Sequence, residues 1–136
     1  MVKLSHGEYI ALERLESVYK TCPFIENICV YGDSYQQYPV ALVYPNPDRV
    51  REWAEKNNAS KDFNDLCNNQ ELKGEILKQI GETGRKAGFK GFEIVRNVHL
   101  CAEEWTPENG YLTAAMKIKR TPLYQAYRKE IDAMYN

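Results

Sequence analysis

The stretch ICVYGDSYQQYPVALVY, residues 28–44, decides the fold, because two apolar runs flank a polar segment within it. Residues 28–31 and 40–44 are rich in β-branched and aromatic side chains, which predicts two strands. Residues 32–34 bridge the runs, so we expect a hairpin with a loop of several residues. Both runs are nearly continuous in apolar residues, which indicates a sheet covered by helices.

Helical patterns lie on both sides of this hairpin. Upstream, apolar residues recur on one helical face between residues 11 and 20. Downstream, the tripeptide NPD at residues 46–48 is a helix start: a capping side chain, a proline that needs no amide, and an acid near the positive helix end. A longer helical pattern covers residues 72–80, and Gly88 closes it.

The rest of the chain completes an α+β pattern. A polar, asparagine-rich stretch precedes residue 70, and residues 95–100 predict a third strand. Asn109 and Gly110 form a tight turn before a brief return strand at residues 111–112. Thr121 as N-cap and Pro122 at the first helical position open a final amphipathic helix. We therefore predict a small α+β domain with a three-stranded antiparallel sheet, a short hairpin and about four to five flanking helices.

Length and charge limit the possible functions. The 136 residues form one domain, or a fragment of a larger protein, that can bury roughly two thirds of its unfolded surface. The net charge of -1 gives no global attraction to nucleic acid or anionic lipid, so any basic function must be local. No apolar leader and no run of about 18 apolar residues is present, so we expect no direct membrane insertion.

Cysteine and histidine spacing argues against a metal site. The four cysteines are widely spaced without a CxxC pair, and we interpret them as reduced and structural: Cys22, Cys29, Cys67 and Cys101. Neither His6 nor His99 has a cysteine, histidine or carboxylate at ligand spacing. No metal-ligating residue is therefore predicted.

The segment LTAAMKIKR, residues 112–120, places three cations just before the final helix start. Spacing alone is typical of a solvated charge cluster near a helix N-terminus. However, cations at that end oppose the helix macrodipole by roughly 0.3 to 1 kcal/mol each, so stability alone would not select them. Together with the free amides of the helix they would make an anion site.

The same residues resemble a known family. LTAAMKIKR is similar to LTPTxKxKR, the carboxy-terminal signature of the long-chain acyl-CoA synthetases, a branch of the adenylate-forming enzymes. KLSHGEYIALERLESVY at residues 3–19 resembles the family segment KLxxGEYxxxExIExxY, which follows the hinge between the large and small domains. The intervening segments at residues 30–45 and 88–100 follow the family order, so the resemblance covers residues 3–135.

The resemblance implies a two-step ligase. A fatty acid carboxylate attacks the α-phosphate of ATP to give an acyl-adenylate, and coenzyme A then displaces AMP; the small domain rotates between the steps. This chain would be the mobile carboxy-terminal domain, and its partner is the large amino-terminal domain, which holds the ATP and acyl pockets. The full-length enzyme would use ATP, Mg²⁺ and coenzyme A. We expect the isolated fragment to be inactive and to bind none of these tightly.

The resemblance also implies residue roles in the basic segment. The lysine that the superfamily uses in adenylation stands four residues after the signature threonine, and counting from Thr113 gives Lys117. An ammonium there would neutralise the two anions that meet and the charge that builds on the phosphoryl oxygens. Lys119 and Arg120 are expected to support the loop or to pair with the large domain.

For thioester formation the resemblance indicates Gly7, Glu8 and Tyr9, the loop that lines the coenzyme A tunnel in this family. A glycine fits where backbone approaches a ligand closely. Without the resemblance, the favoured interpretation is that Gly7 simply makes a turn before the first helix.

Two departures from the family pattern concern loop rigidity. Ala114 and Ala115 replace the usual proline and threonine, which leaves the loop around Lys117 less rigid and removes one hydroxyl. Gly91 stands where a proline is common. Neither departure removes a charged group.

Two other function classes remain open. A nucleic-acid-binding module would use the basic segment with Arg85, Lys86 and Lys90, but no aromatic-rich RNP-like strand is present and the net charge is unhelpful, so we predict no nucleic-acid partner. A non-catalytic interaction domain would keep the fold and the lysine without the activity. We expect the domain on the cytoplasmic side, although the parent family often works at a membrane surface.

Overall fold

The computed structural model describes residues 1–136, which form two small sheets and six α-helices. In chain order the elements are β1 (Val2–Lys3), β2 (Tyr9–Ile10), α1 (Leu12–Tyr19), β3 (Ile25–Tyr31), β4 (Val40–Pro45), α2 (Pro47–Lys56), α3 (Phe63–Cys67), α4 (Gln70–Lys86), a 3-10 turn (Gly91–Glu93), β5 (Val98–Leu100), α5 (Arg120–Ala126) and α6 (Arg128–Ala133). The α+β class is confirmed. No helix has both the length and the apolar character needed to span a membrane.

The main sheet has the order β3-β4-β5 and is mixed rather than antiparallel. The predicted β3-β4 hairpin is confirmed, with Cys29 opposite Leu42. β5 instead lies parallel to β4, with Val98 beside Ala41. The prediction of an antiparallel third strand was wrong because α2, α3 and α4 carry the chain back across the sheet, and such a crossover makes the next strand parallel.

Helices cover both faces of the sheet, as the continuous apolar runs predict. Alternate strand residues point to opposite faces, so Ile28 and Val30 face one core and Cys29 and Leu42 face the other. The first core is completed by α1, α2 and α4, with buried Leu15, Tyr19, Val50, Ala54, Leu72, Ile76 and Ile80. The second contains Trp105, Leu112, Leu123 and Ile131 from the carboxy-terminal part.

The helix starts of the central region follow local side-chain chemistry. The Asn46 side chain accepts a hydrogen bond from the Arg49 amide at 3.1 Å, so the predicted cap of α2 is confirmed. α4 begins behind a second asparagine cap, Asn69, and ends before Gly88, whose φ of 82° is in the left-handed region. The sequence did not predict α3, which starts at an Asp62 cap inside the polar stretch. Together with the division of the final helix in two, α3 brings the number of α-helices to six.

The carboxy-terminal third differs most from prediction. The third strand starts at Val98 rather than at Val95, because the Val95 amide donates to the Tyr19 hydroxyl at 3.2 Å instead of joining the sheet. Gly110 does form a turn, with φ of 84°, but no return strand pairs with β5. Leu112 instead pairs with Ile118 in an isolated antiparallel bridge.

The final helix begins two residues earlier than predicted and is broken in two. Lys119 occupies the N-cap position without a side-chain cap, so Thr121 is inside α5 rather than at its cap. The chain leaves helical geometry at Tyr127, where φ is -113°, and α6 follows at once. The early start has a tertiary cause, since the first helical residue, Arg120, is bound to α1.

Candidate functional site

Residues 112–118 form a tight hairpin, which we call the lysine hairpin. Leu112 and Ile118 pair at its base. The Thr113 amide donates to the Lys117 carbonyl at 2.7 Å, and the Met116 amide donates to the Thr113 carbonyl at 2.8 Å. These bonds close a turn over residues 113–116 and place Lys117 directly behind it.

Thr113 also holds this turn through its side chain. Its hydroxyl accepts a hydrogen bond from the Lys117 amide at 3.2 Å. Met116 completes the reversal with a φ of 66°, in the left-handed region that non-glycine residues enter at a cost of about 1–2 kcal/mol. The main chain of Lys117 is thus fixed at both its amide and its carbonyl.

The Lys117 side chain is exposed and is in none of the four ion pairs of the domain. It lies at the rim of a groove of about 370 Å³ between the lysine hairpin, α1 and β3. The groove is lined by Glu13, Glu16, Ser17, Lys20, Asn27, Ile28, Met116, Lys117, Ile118 and Arg120. A fixed backbone with a free ammonium is the arrangement that can meet an incoming anion without breaking a contact.

The Arg120 side chain is bound to other residues of the domain. Its guanidinium binds Glu16 with two hydrogen bonds, Nη1 to Oε2 at 2.6 Å and Nη2 to Oε1 at 2.9 Å. Burial alone lowers the pKa of Arg120, but its hydrogen bonds to Glu16 and Tyr124 raise that pKa above the ordinary value. Arg120 is therefore a fixed cation. Lys119 is exposed and bonds only through its main chain, where its amide donates to the Tyr111 carbonyl at 2.8 Å and its carbonyl accepts from the Leu123 amide at 3.3 Å.

The loop of Gly7, Glu8 and Tyr9 closes the small β1-β2 hairpin. The Gly7 amide donates to the Leu4 carbonyl at 3.0 Å, and Gly7 has a φ of 92°. The turn therefore favours glycine whatever else the loop does, because most other residues rarely adopt this backbone. Tyr9 is 53% exposed, Glu8 is exposed, and no atom lies within 4 Å of the position that a Gly7 Cβ would take.

The structure does not bring the Gly7 loop and Lys117 together. The β1-β2 hairpin packs on Gly32, just beyond the end of β3, where Leu4 and Ile10 lie against its backbone. The lysine hairpin lies beside Ile28, four residues earlier on the same edge of the sheet. At about 3.3 Å per strand residue the two anchor points are about 13 Å apart.

Sequence reasoning missed Glu16 and Tyr124. Glu16 falls among Leu12, Leu15 and Tyr19 in the helical spacing that forms the buried face of α1. An acid in an apolar stripe needs a partner, and this was the available signal. No group of three or more potential metal-ligating side chains is brought together anywhere in the domain.

Comparisons with known proteins agree with this fold. The model of the AMP-binding enzyme C-terminal domain family matches residues 14–97. Long chain acyl-CoA synthetase 3 of Arabidopsis thaliana is 41% identical over 133 residues, which cover 98% of this chain and 20% of the relative. Long-chain-fatty-acid–CoA ligase 6 of Homo sapiens is 34% identical over 134 residues, 98% of this chain and 19% of the relative. The chain spans about a fifth of the length of these curated relatives.

Solved structures of adenylation domains contain the same fold. The adenylation domain of a carboxylate reductase from Mycobacterium chelonae superposes with a TM-score of 0.83 at 29% identity, over 98% of this chain and 19% of that one. The corresponding domain from Segniliparus rugosus, solved with AMP and a co-purified carboxylic acid, gives a TM-score of 0.81 at 29% identity, with the same coverage.

Proposed function

Because the chain belongs to the AMP-binding enzyme C-terminal domain family, we propose that it is the mobile carboxy-terminal domain of an ATP-dependent long-chain fatty acid–CoA ligase. The sequence relatives named for that activity are 34–41% identical, whereas the carboxylate reductase domains are 28–29% identical. The reaction joins a fatty acid to ATP as acyl-adenylate with release of pyrophosphate. The thiol of coenzyme A then displaces AMP and gives the thioester.

Lys117 is the adenylation lysine in this proposal. The observation that carries the assignment is its combination of a fixed main chain and an ammonium outside every ion pair. In adenylation a carboxylate approaches a phosphate, and charge builds on the phosphoryl oxygens as the bond forms. An ammonium held beside both groups lowers the repulsion and stabilises that charge.

The Gly7 loop serves the second half-reaction in this proposal. Gly7 has no side chain, and the space where a Cβ would stand is open. A narrow ligand such as the pantetheine arm could therefore approach the backbone of the loop. Glu8 and Tyr9 are exposed on the same loop and would line the tunnel with it.

Domain rotation accounts for the separation of the two loops. With anchor points about 13 Å apart along the sheet edge, the two loops would face one reacting carbonyl in different orientations of the domain. A rigid domain that turns between half-reactions would present the lysine hairpin first and the Gly7 loop second.

The remaining substrates and contacts belong to the large amino-terminal domain in this proposal. It would hold ATP, the Mg²⁺ ion that accompanies ATP, and the acyl chain, since the residues here form no carboxylate cluster for a cation. The 136-residue chain alone would neither activate fatty acids nor bind ATP tightly. The domain would work on the cytoplasmic side.

The test uses an enzyme that joins this chain to a large domain of the family. Lys117→Ala should lower fatty-acid-dependent ATP–pyrophosphate exchange by about 10²- to 10³-fold, the usual effect of deleting one preorganised charge-stabilising group. Thioester formation from supplied acyl-adenylate should largely survive. Lys129→Ala, an exposed lysine on α6, is the matched control. Wild-type exchange in Lys117→Ala would contradict the assignment and favour a non-catalytic interaction domain.

A second variant tests the thioester role. Gly7→Asn keeps a residue that tolerates left-handed backbone but adds a side chain to the loop. Thioester formation should fall while exchange is retained. Gly110→Asn makes the same change at another left-handed glycine, φ 84°, and should leave both half-reactions intact. Equal loss of both half-reactions in Gly7→Asn would indicate a damaged fold and contradict a specific role.

A further inference from the structure

Val30 lies on the free edge of the main sheet, and side chains from two different layers satisfy its main chain. β3 is an edge strand, so the main-chain amide and carbonyl of every second residue point away from the sheet, where no neighbouring strand can bind them. The Val30 amide donates to Glu16 Oε2 at 2.7 Å. The Val30 carbonyl accepts from the Tyr124 hydroxyl at 2.6 Å and from Arg120 Nη1 at 3.3 Å. One edge residue therefore joins α1 and α5.

Glu16 and Arg120 meet around this edge. Glu16 comes from α1 on one face of the sheet, and Arg120 is the first residue of α5 on the other face. Their side chains are only 11% and 26% exposed, and the contact has two hydrogen bonds. A planar guanidinium bound at two points to a carboxylate fixes direction as well as distance.

The pair leads directly into the lysine hairpin. Arg120 follows Lys117 by three residues, and between them Ile118 pairs with Leu112. The Lys119 amide adds a bond to the Tyr111 carbonyl. Both residues between Lys117 and Arg120 are therefore fixed by main-chain pairing. A shift of Arg120 would move the lysine hairpin relative to the sheet edge.

We propose that Glu16 is a positioning residue for adenylation, acting through Arg120 to set where the Lys117 ammonium stands. This rests on the proposed function of Lys117. Stability alone does not account for the pair, because a buried ion pair is often replaced by apolar residues without loss. An apolar contact would not fix the angle of the hairpin, and misplacement of a reacting group by about 1 Å can cost about 10²-fold in rate.

The test compares both half-reactions in the joined two-domain enzyme. Glu16→Gln removes the charge but keeps an acceptor for Val30, and Arg120→Lys keeps the charge but loses the two-point contact. Each should lower the kcat of ATP–pyrophosphate exchange by about 10- to 100-fold, with thioester formation from supplied acyl-adenylate within about threefold of wild type. Glu52→Gln and Arg49→Lys, from an exposed pair at 4.0 Å on α2, are the matched controls.

A double-variant cycle separates positioning from stability. If Glu16 acts through Lys117, Glu16→Gln should cause no further loss of exchange in a Lys117→Ala background. Thermal unfolding of each variant gives the folded fraction by which its rates are corrected. Equal losses in both half-reactions after that correction, or independent losses in the cycle, would overturn the inference. If Lys117→Ala lowers exchange as expected while Glu16→Gln keeps the wild-type rate, the inference fails and the proposed function stands.

Discussion

The Thr113 hydroxyl and the Lys117 amide are joined by a hydrogen bond of 3.2 Å, while the Thr113 amide reaches the Lys117 carbonyl at 2.7 Å. The two residues are therefore the ends of one turn. This gives a physical reason for a threonine four residues before a lysine: the hydroxyl satisfies an amide that the turn leaves without a strand partner.

Thr113→Val should lower adenylation through Lys117. Valine has nearly the same shape but cannot accept the Lys117 amide, and one such bond contributes about 0.5–1.5 kcal/mol. If the bond holds the ammonium in place, exchange should fall by about 2- to 12-fold. Thr113→Ser keeps the hydroxyl and should stay near wild type. Equal rates for the valine and serine variants would show that the hydroxyl is not needed.

Ala114→Pro should stiffen the lysine hairpin. Ala114 is the second residue of the turn closed by the Met116 amide and the Thr113 carbonyl, where proline is favoured. We expect the free energy of unfolding to rise by about 0.4–1 kcal/mol, mainly through the unfolded chain. Ala115→Pro is the control, because proline is disfavoured at the third turn position, and it should destabilise. Urea unfolding measures both; a loss of stability in Ala114→Pro would contradict this turn geometry.

Local chemistry made much of the fold predictable. The N-cap of α2 and the β3-β4 hairpin depend on residues that are close in the sequence, such as Asn46 and the Arg49 amide three positions later. They could therefore be predicted from the sequence. The direction of β5 depends on where the chain returns after three helices. Short-range sequence patterns do not show from which direction the chain re-enters the sheet, so the prediction of an antiparallel β5 was wrong.

In the candidate site, too, contacts between neighbouring residues were predictable from the sequence and contacts between distant residues were not. Thr113 and Lys117 are four residues apart, so their turn could be read locally. Glu16 and Arg120 are separated by 104 positions, so their contact at the first residue of α5 could not be predicted from local spacing, which instead suggested a Thr121 cap. The sequence argument that cations oppose the helix macrodipole also changes for Arg120, since Glu16 balances its charge.

Two glycines of α4 should respond in opposite ways to alanine. Gly74 is exposed, and no atom lies within 4 Å of the position that a Cβ would take there, so Gly74→Ala should stabilise by about 0.5–1 kcal/mol. At Gly84 a Cβ would stand 2.7 Å from Ile94 Cδ1, 3.1 Å from Phe89 and 3.2 Å from Tyr19. The Tyr19 ring cannot retreat easily, because its hydroxyl donates to the Glu93 carbonyl at 2.7 Å.

Gly84→Ala should therefore destabilise by about 1–3 kcal/mol, since overpacking outweighs the gain in helix propensity. The free energy of unfolding from urea titration measures both alanine variants under the same conditions. Stabilisation by both would mean that the core around Gly84 has room for a methyl group.

His99 should make the domain less stable in mild acid. Burial lowers the pKa of His99 below its ordinary value of 6.5; the nearby Glu130 carboxylate opposes this shift and Lys73 adds to it. The ring packs against Tyr127 with centroids 5.7 Å apart. A lowered folded-state pKa means that the unfolded chain binds the proton more readily. The stabilisation is thus present above about pH 6.5 and is lost as the pH falls toward the folded-state pKa.

The measurement is the free energy of unfolding between pH 7.5 and pH 5, compared for wild type and His99→Gln. Other groups titrate in both proteins, so the difference between the two slopes isolates His99. The wild-type value should fall more steeply on acidification, because only that protein must keep a buried imidazole neutral against protonation. Parallel curves would show that His99 is as easily protonated in the folded domain as in the unfolded chain.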